Sequence, residues 1–226
     1  MIKLVVFDMA GTTVDEDNVV YKTVRAAINS AGYEFSQEQV QAVGAGKEKS
    51  QAIRDVLALD GASHSEDEVA AIFADFKTQL AEAYESLNVK EQPGASEVIA
   101  SLRSRGVNVV LNTGYDRDTA CHLINKLGWS VGTEIDGLVT ASDVNNGRPA
   151  PDMIQLAMKQ TGVESAESVV KVGDSQIDIE EGKNAKCKFT FGITTGAQTE
   201  PMLRASTPTD VVHSLTELLN RIESEC

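Results

Sequence analysis

The feature that most restricts the fold is a set of short Val- and Ile-rich runs, each ending at a polar residue or a glycine. Ile2 to Phe7 is bounded by Asp8 and Gly11, and Val107 to Asn112 runs into Thr113 and Gly114. Gly137 to Thr140 precedes a polar loop, Val169 to Gly173 precedes Asp174, and Lys188 to Ile193 forms a fifth run. Continuous apolar runs of this kind fit strands buried on both faces, as in parallel sheets. Helical patterns separate them: 95–105 with Val98, Ile99 and Leu102, then 118–127, 152–160 and 178–185, the last opening with acids that suit a helix N-terminus. Strands alternating with helices predict an α/β fold with a mainly parallel sheet.

The alternation stops from about Asp17 to Leu87. Residues 19–30, 36–43, 49–57 and 65–86 all read as helix, with no strand between them. Ser36 with Gln39, and Ser65 with Glu68, have the spacing of a capping box. So many consecutive helices exceed one crossover, and we read 17–87 as a helical unit inserted into a core made of 1–16 and 88–226. Pro93-Gly94 marks the return to the sheet. Val211, Val212, Leu215, Leu218, Leu219 and Ile222 read as one amphipathic C-terminal helix.

Charge narrows the partners. Twenty Lys and Arg against 34 Asp and Glu leave a net charge of −14, which argues against a binder of nucleic-acid backbones or of anionic membranes. A small anionic substrate stays open, because local cations or a metal invert the field in a cleft. No apolar run reaches the ~18 residues of a membrane span, and the run before Asp8 lacks the small-residue cleavage site of a signal peptide. Cys121, Cys187 and Cys226 are an odd number at unrelated spacings, so no disulfide framework or zinc pattern is predicted. The expected compartment is a reducing cytoplasm.

Ligands of open parallel sheets bind beyond the carboxyl ends of the strands. There the sequence places Asp8, then Thr113-Gly114, then Asp174 with Asp178 four residues on, and a loop supplies Arg148 in Gly147-Arg148-Pro149. Each alone has a bland explanation as a helix cap, a turn or a surface cation. Four such groups in this order at successive strand ends point to a site.

These residues carry a resemblance. Asp8-Met9-Ala10-Gly11-Thr12-Thr13-Val14-Asp15 resembles the first motif of the haloacid dehalogenase superfamily. Asn112-Thr113-Gly114, Arg148-Pro149 and Val172-Gly173-Asp174-Ser175-Gln176-Ile177-Asp178 resemble its second to fourth. The resemblance implies a Rossmann-like core with an inserted helical cap, and Asp8 as a nucleophile that becomes phosphorylated. It implies Mg²⁺ held by Asp8, the Ala10 carbonyl and Asp174, with Asp178 as ligand or close behind. Thr113, Gly114 and Arg148 would hold the transferring group. A homodimer through the cap is implied by the resemblance alone.

One position departs from most of the superfamily. The general acid two residues after the nucleophile is here Ala10, and such a group typically contributes 10²–10⁴-fold. The phosphonatase branch, the phosphonoacetaldehyde hydrolases, shares this alanine and the Arg of the third motif. There a cap lysine forms a Schiff base with the substrate aldehyde. The run Gly46-Lys47-Glu48-Lys49-Ser50-Gln51-Ala52-Ile53-Arg54 resembles that branch's lysine segment, which makes Lys49 the candidate amine and Lys47 its rival or a substrate contact. The branch's His three residues on is here Ala52, and its cysteine after the first motif is Asn18. The expected function is Mg²⁺-dependent hydrolysis of a small phosphonate. The alternatives are a phosphomonoesterase of the phosphoglycolate or sugar-phosphate type, and a silent metabolite-binding relative.

Other residues read as structural or peripheral. Tyr115 is placed against substrate or at the junction of cap and core. His122 has no partner at ligand spacing, His64 and His213 read as surface residues, Cys187 as core, and Trp129 as packing at the sheet edge.

Overall fold

The computed structural model describes residues 1–224; Cys226 lies outside them. Its main sheet has six parallel strands: β1 (Leu4–Asp8), β4 (Asn108–Thr113), β5 (Gly137–Thr140), β6 (Val169–Gly173), β7 (Phe189–Ile193) and β8 (Asp210–Val212). They lie in the order β5-β4-β1-β6-β7-β8. The order places β1 between β4 and β6, and successive β1 residues face opposite layers. Val5 and Phe7 join a cluster with Val98 and Leu102 of α5 (Ala95–Ser104), while Leu4 and Val6 pack with Met153 and Ile154 of α7 (Asp152–Thr161). Covering both faces explains why the strand sequences are apolar throughout.

Helices α1 (Val19–Ser30), α2 (Gln37–Gly44), α3 (Lys49–Leu57) and α4 (Glu66–Ser86) follow one another without an intervening strand. They share the larger apolar cluster with the core through Val24, Ile53, Val69 and Phe76. The chain enters and leaves this segment through an antiparallel ribbon of β2 (Val14–Asp15) and β3 (Lys90–Glu91), with Val14 opposite Glu91 and Asp15 opposite Lys90. Two residues per strand are too few to leave a periodic signature, so the sequence pattern does not show the ribbon. Helices α6 (Arg117–Lys126), α8 (Gln176–Asn184), α9 (Glu200–Ala205) and α10 (Leu215–Ser224) complete the fold.

Three expectations change. Val211 and Val212 belong to β8, not to the C-terminal helix: they pair with Gly192 and Ile193, and α10 begins at Leu215. Periodicity does not see the open edge of β7, whose backbone groups recruit this segment. The box at Ser36 forms reciprocally with Gln39. At Ser65 only half forms: the Glu68 N–H reaches Ser65 Oγ, but the Glu68 carboxylate accepts from Tyr33 Oη at 2.5 Å. His64 is not a free surface residue. Its ring stands edge-on to Tyr33 and meets Asp60 at 2.9 Å and Glu68 at 3.3 Å. His213 is exposed, Trp129 is buried, and Cys187 packs beside the smaller cluster, where burial pushes its thiol up to about 12. Among the described residues no helix is long and apolar enough to cross a membrane.

Candidate active site

Sheet register assembles the site. Asp8 ends β1 opposite Asn112 of β4, and Phe7 lies opposite Val172 of β6, which brings Gly173 and Asp174 level with Asp8. Thr113 and Gly114 leave the neighbouring strand at the same edge. The sheet order turns to either side of β1 here, the place where open α/β sheets form a crevice. The turn after β1 folds back tightly. Gly11 has φ +80°, and a Cβ there would lie 2.4 Å from Asp174 Oδ2, so only glycine fits. The same Oδ2 accepts the Ala197 N–H at 2.5 Å.

Arg148 is buried, and acceptor atoms of four residues surround its guanidinium. Nη1 lies 2.7 Å from Asp8 Oδ1 and 3.0 Å from Asp178 Oδ1. Nη2 donates to the Asn112 carbonyl at 2.8 Å and to Asn112 Oδ1 at 2.9 Å, and Nε lies 3.2 Å from Glu181. Lys171, in the middle of β6, reaches Asn112 Oδ1 at 2.6 Å, Asp178 at 3.0 Å and Glu181 at 3.3 Å. Asn112 in turn donates to both oxygens of Glu181. A charged residue inside a buried strand requires partners of this kind, so Lys171 was a usable signal in the sequence. Glu181 also lies one helical turn beyond Asp178, on the same face of α8.

The three aspartates differ electrostatically. Burial opposes ionisation of Asp178, but the charges of Arg148 and Lys171, with the Ser175 hydroxyl, outweigh it and hold its carboxyl below the ordinary range. Asp8 is pushed up by burial, with Arg148 only partly offsetting this. Asp174 is pushed well up, first by burial and then by the charges of Asp8 and Asp178. One oxygen from each of these three side chains lies within 4.8 Å of the other two. Four buried carboxylates (Asp8, Asp174, Asp178, Glu181) face the two buried cations Arg148 and Lys171, so with all four ionised the cluster has two excess negative charges. An all-oxygen donor set with that excess fits a hard divalent cation such as Mg²⁺, and Asp8 and Asp174 are its two under-compensated carboxylates.

Facing this cluster is Lys49, the first residue of α3. Its side chain is buried, with Nζ 2.6 Å from the Lys47 carbonyl, 5.0 Å from the Tyr21 ring centre and 5.4 Å from that of Tyr115. Burial and the nearby Arg148 charge lower its pKa to about 8. Lys47 itself does not enter the pocket: its ammonium turns to Asp55 at 2.5 Å. Gly46 and Gly114 allow the loop to sit directly on the strand ends. A Cβ on Gly46 would lie 2.1 Å from Ile177, and one on Gly114 3.1 Å from the Gly46 carbonyl.

The structure thus brings Asp8, Ala10, Lys49, Thr113, Gly114, Tyr115, Arg148 and Asp174 around one small pocket, with about 10 Å³ of free space left. Asp178 lies behind Asp8, beyond Arg148. Nothing in the sequence pattern singles out Glu16. This carboxyl is buried at the start of α1, accepts the Val20 N–H at 3.2 Å, and is pushed up to about 8 by burial, with Lys49 acting in the opposite direction.

Comparison with known proteins identifies the family. Residues 5–191 match the haloacid dehalogenase-like hydrolase family. The chain is 33% identical over 210 residues to a phosphonoacetaldehyde hydrolase of Bacillus cereus (strain ATCC 14579), covering 87% of this chain and 77% of that protein. It is 34% identical over 195 residues to a bifunctional phosphonoacetaldehyde hydrolase/aminoethylphosphonate transaminase of Clostridioides difficile (strain 630). That match covers 81% of this chain but only 30% of the bifunctional protein. In fold, the chain is similar to a hydrolase from Pseudomonas syringae, with a TM-score of 0.87 at 19% identity over 98% of both chains.

Proposed function

The chain belongs to the haloacid dehalogenase-like hydrolases, and from that premise we propose that it breaks the C–P bond of a small carbonyl phosphonate, with Lys49 as imine former and Asp8 as nucleophile. The observation that supports this best is the buried Lys49 amine facing the same pocket as Asp8, while the position of the usual general acid is Ala10. A pKa of about 8 leaves a usable fraction of neutral amine near neutrality.

Lys49 Nζ adds to the substrate carbonyl, and loss of water gives an iminium. The Asp8 carboxylate attacks phosphorus, the C–P electron pair becomes the C=C bond of an enamine, and the iminium nitrogen loses its positive charge. The enamine takes a proton on carbon, and water then releases the carbonyl product and restores the amine. A second water hydrolyses the aspartyl-phosphate to inorganic phosphate. The leaving carbon is stabilised through the nitrogen, so no acid at position 10 is needed. Thr113, the Gly114 N–H and Arg148 hold the phosphoryl oxygens, and Tyr115 flanks the amine. Asp8, the Ala10 carbonyl and Asp174, with Asp178 behind them, would hold Mg²⁺, whose charge when bound offsets the repulsion between carboxylate and phosphoryl group. Residues 17–87 act as a cap. With so little room left over Asp8, substrate enters only when the cap lifts.

The test is phosphate release with Mg²⁺ over carbonyl phosphonates and phosphate esters, together with borohydride fixation and peptide mass analysis. The expected result is turnover of carbonyl phosphonates and an adduct on Lys49, with Lys49→Ala and Asp8→Asn inactive. Ester turnover without an adduct would identify a phosphomonoesterase, and no turnover of any compound a metabolite-binding relative.

A further inference from the structure

Closure over Asp8 does not close the far side of Lys49. A second cavity of about 150 Å³ opens there and shares Lys49, Gly114 and Tyr115 with the phosphoryl pocket. Its inner wall is Phe73, Phe76 and Leu80 of α4, the two phenyl rings stacked with centres 6.0 Å apart. It continues outward into a groove of about 490 Å³. A largely apolar cavity that borders Lys49 has the character of a substrate subsite.

The chemistry of the lining selects the occupant. A space of this volume with aliphatic and aromatic walls takes a benzene-sized group. The carboxylates at its rim are already engaged. Asp116 caps α6 through the Thr119 N–H and hydroxyl, and Glu48 caps α3 through the Ser50 and Gln51 N–H groups. Two carboxylates at the rim repel a second anion.

We propose that the carbonyl carbon of the substrate bears an uncharged, apolar substituent up to benzyl size, seated against Phe73, Phe76 and Leu80. The substrate class is then a ketone phosphonate, R–CO–CH₂–PO₃²⁻, and not the two-carbon aldehyde. This rests on the imine reading above. An imine carbon on Lys49 Nζ has two arms: one carries the phosphonate to Asp8, and the cavity that shares Lys49, Gly114 and Tyr115 with that pocket is the space for the other. The overall balance is one water consumed, with R–CO–CH₃ and hydrogen phosphate formed.

The experiment compares kcat/KM for 2-oxopropylphosphonate and 2-oxo-3-phenylpropylphosphonate, with borohydride fixation on each and on phosphonoacetaldehyde. The benzyl ketone is expected to exceed the methyl ketone by tenfold or more, since each well-packed methylene alone discriminates by ~10-fold or more. Leu80→Trp, which fills the cavity, is expected to cut that preference at least tenfold. Ser142→Phe, at an exposed rim position, gives the same readout if the buried change impairs folding. An adduct on Lys49 with the small compounds, with the benzyl ketone excluded, would overturn this inference and leave the imine reading intact. No adduct with any carbonyl phosphonate would overturn both.

Discussion

Holding an amine such as Lys49 in the fold destabilises it, and the penalty has a pH signature. Each pKa unit corresponds to about 1.4 kcal/mol. Lowering the Lys49 ammonium from its ordinary 10.5 to about 8 therefore makes its charged form roughly 3 kcal/mol less favourable in the folded chain than in the unfolded one. The folded state binds this proton more weakly. The penalty is thus full below about pH 8 and fades as pH rises toward 10.5; at pH 9.5 it is roughly 1.5 kcal/mol. Lys49→Met keeps the stem and removes the charge, at the loss of one hydrogen bond to the Lys47 carbonyl worth about 1 kcal/mol. The variant should be about 2 kcal/mol more stable than the parent at pH 7, with a Tm higher by roughly 4–8 °C for a chain of this size, and about equal at pH 9.5. Urea unfolding at the two pH values, with equal m-values, reads this directly. If Lys49→Met is less stable than the parent at pH 7, or the difference does not change with pH, the amine is not strained and the argument for its reactivity fails.

Three further outcomes follow from the same geometry. Lys171→Met leaves Glu181 and Asp178 short of a cation and should lower stability by about 3–5 kcal/mol, with Lys171→Met/Glu181→Gln recovering part of it; a loss under ~1 kcal/mol in thermal unfolding would mean that solvent reaches the network. Gly46→Ala drives a methyl into Ile177 and Ser175; kcat/KM should fall more than tenfold, with partial rescue by Ile177→Ala, whereas an unchanged rate would show that the loop need not seat. Mg²⁺ at ~100 times its Kd should stabilise the chain by about 2.7 kcal/mol, reversed by EDTA and abolished in Asp174→Asn; a shift of the same size in that variant would place the ion elsewhere.

Much of this was already present in the one-dimensional pattern. Five apolar runs and their terminal residues predict a parallel sheet with Asp8, Thr113, Gly114 and Asp174 at one edge, because strand burial and strand-end chemistry are local properties that need no knowledge of partners. The helical insertion is equally local, since 3.6-residue periodicity and capping residues recur in four segments from Val19 to Ser86 with no strand between them. Three-dimensional contacts decided the rest. Whether Val211 and Val212 extend a helix or a sheet depends on an open strand edge that only the folded core provides. That Lys49 and not Lys47 faces Asp8 depends on Asp55 drawing the rival away. The burial of Glu16 and Lys49, and the apolar space beside Lys49, arise where the inserted helices meet the loops at the strand ends. Burial and field are sums over neighbours distant in the chain, so no spacing within the sequence encodes them.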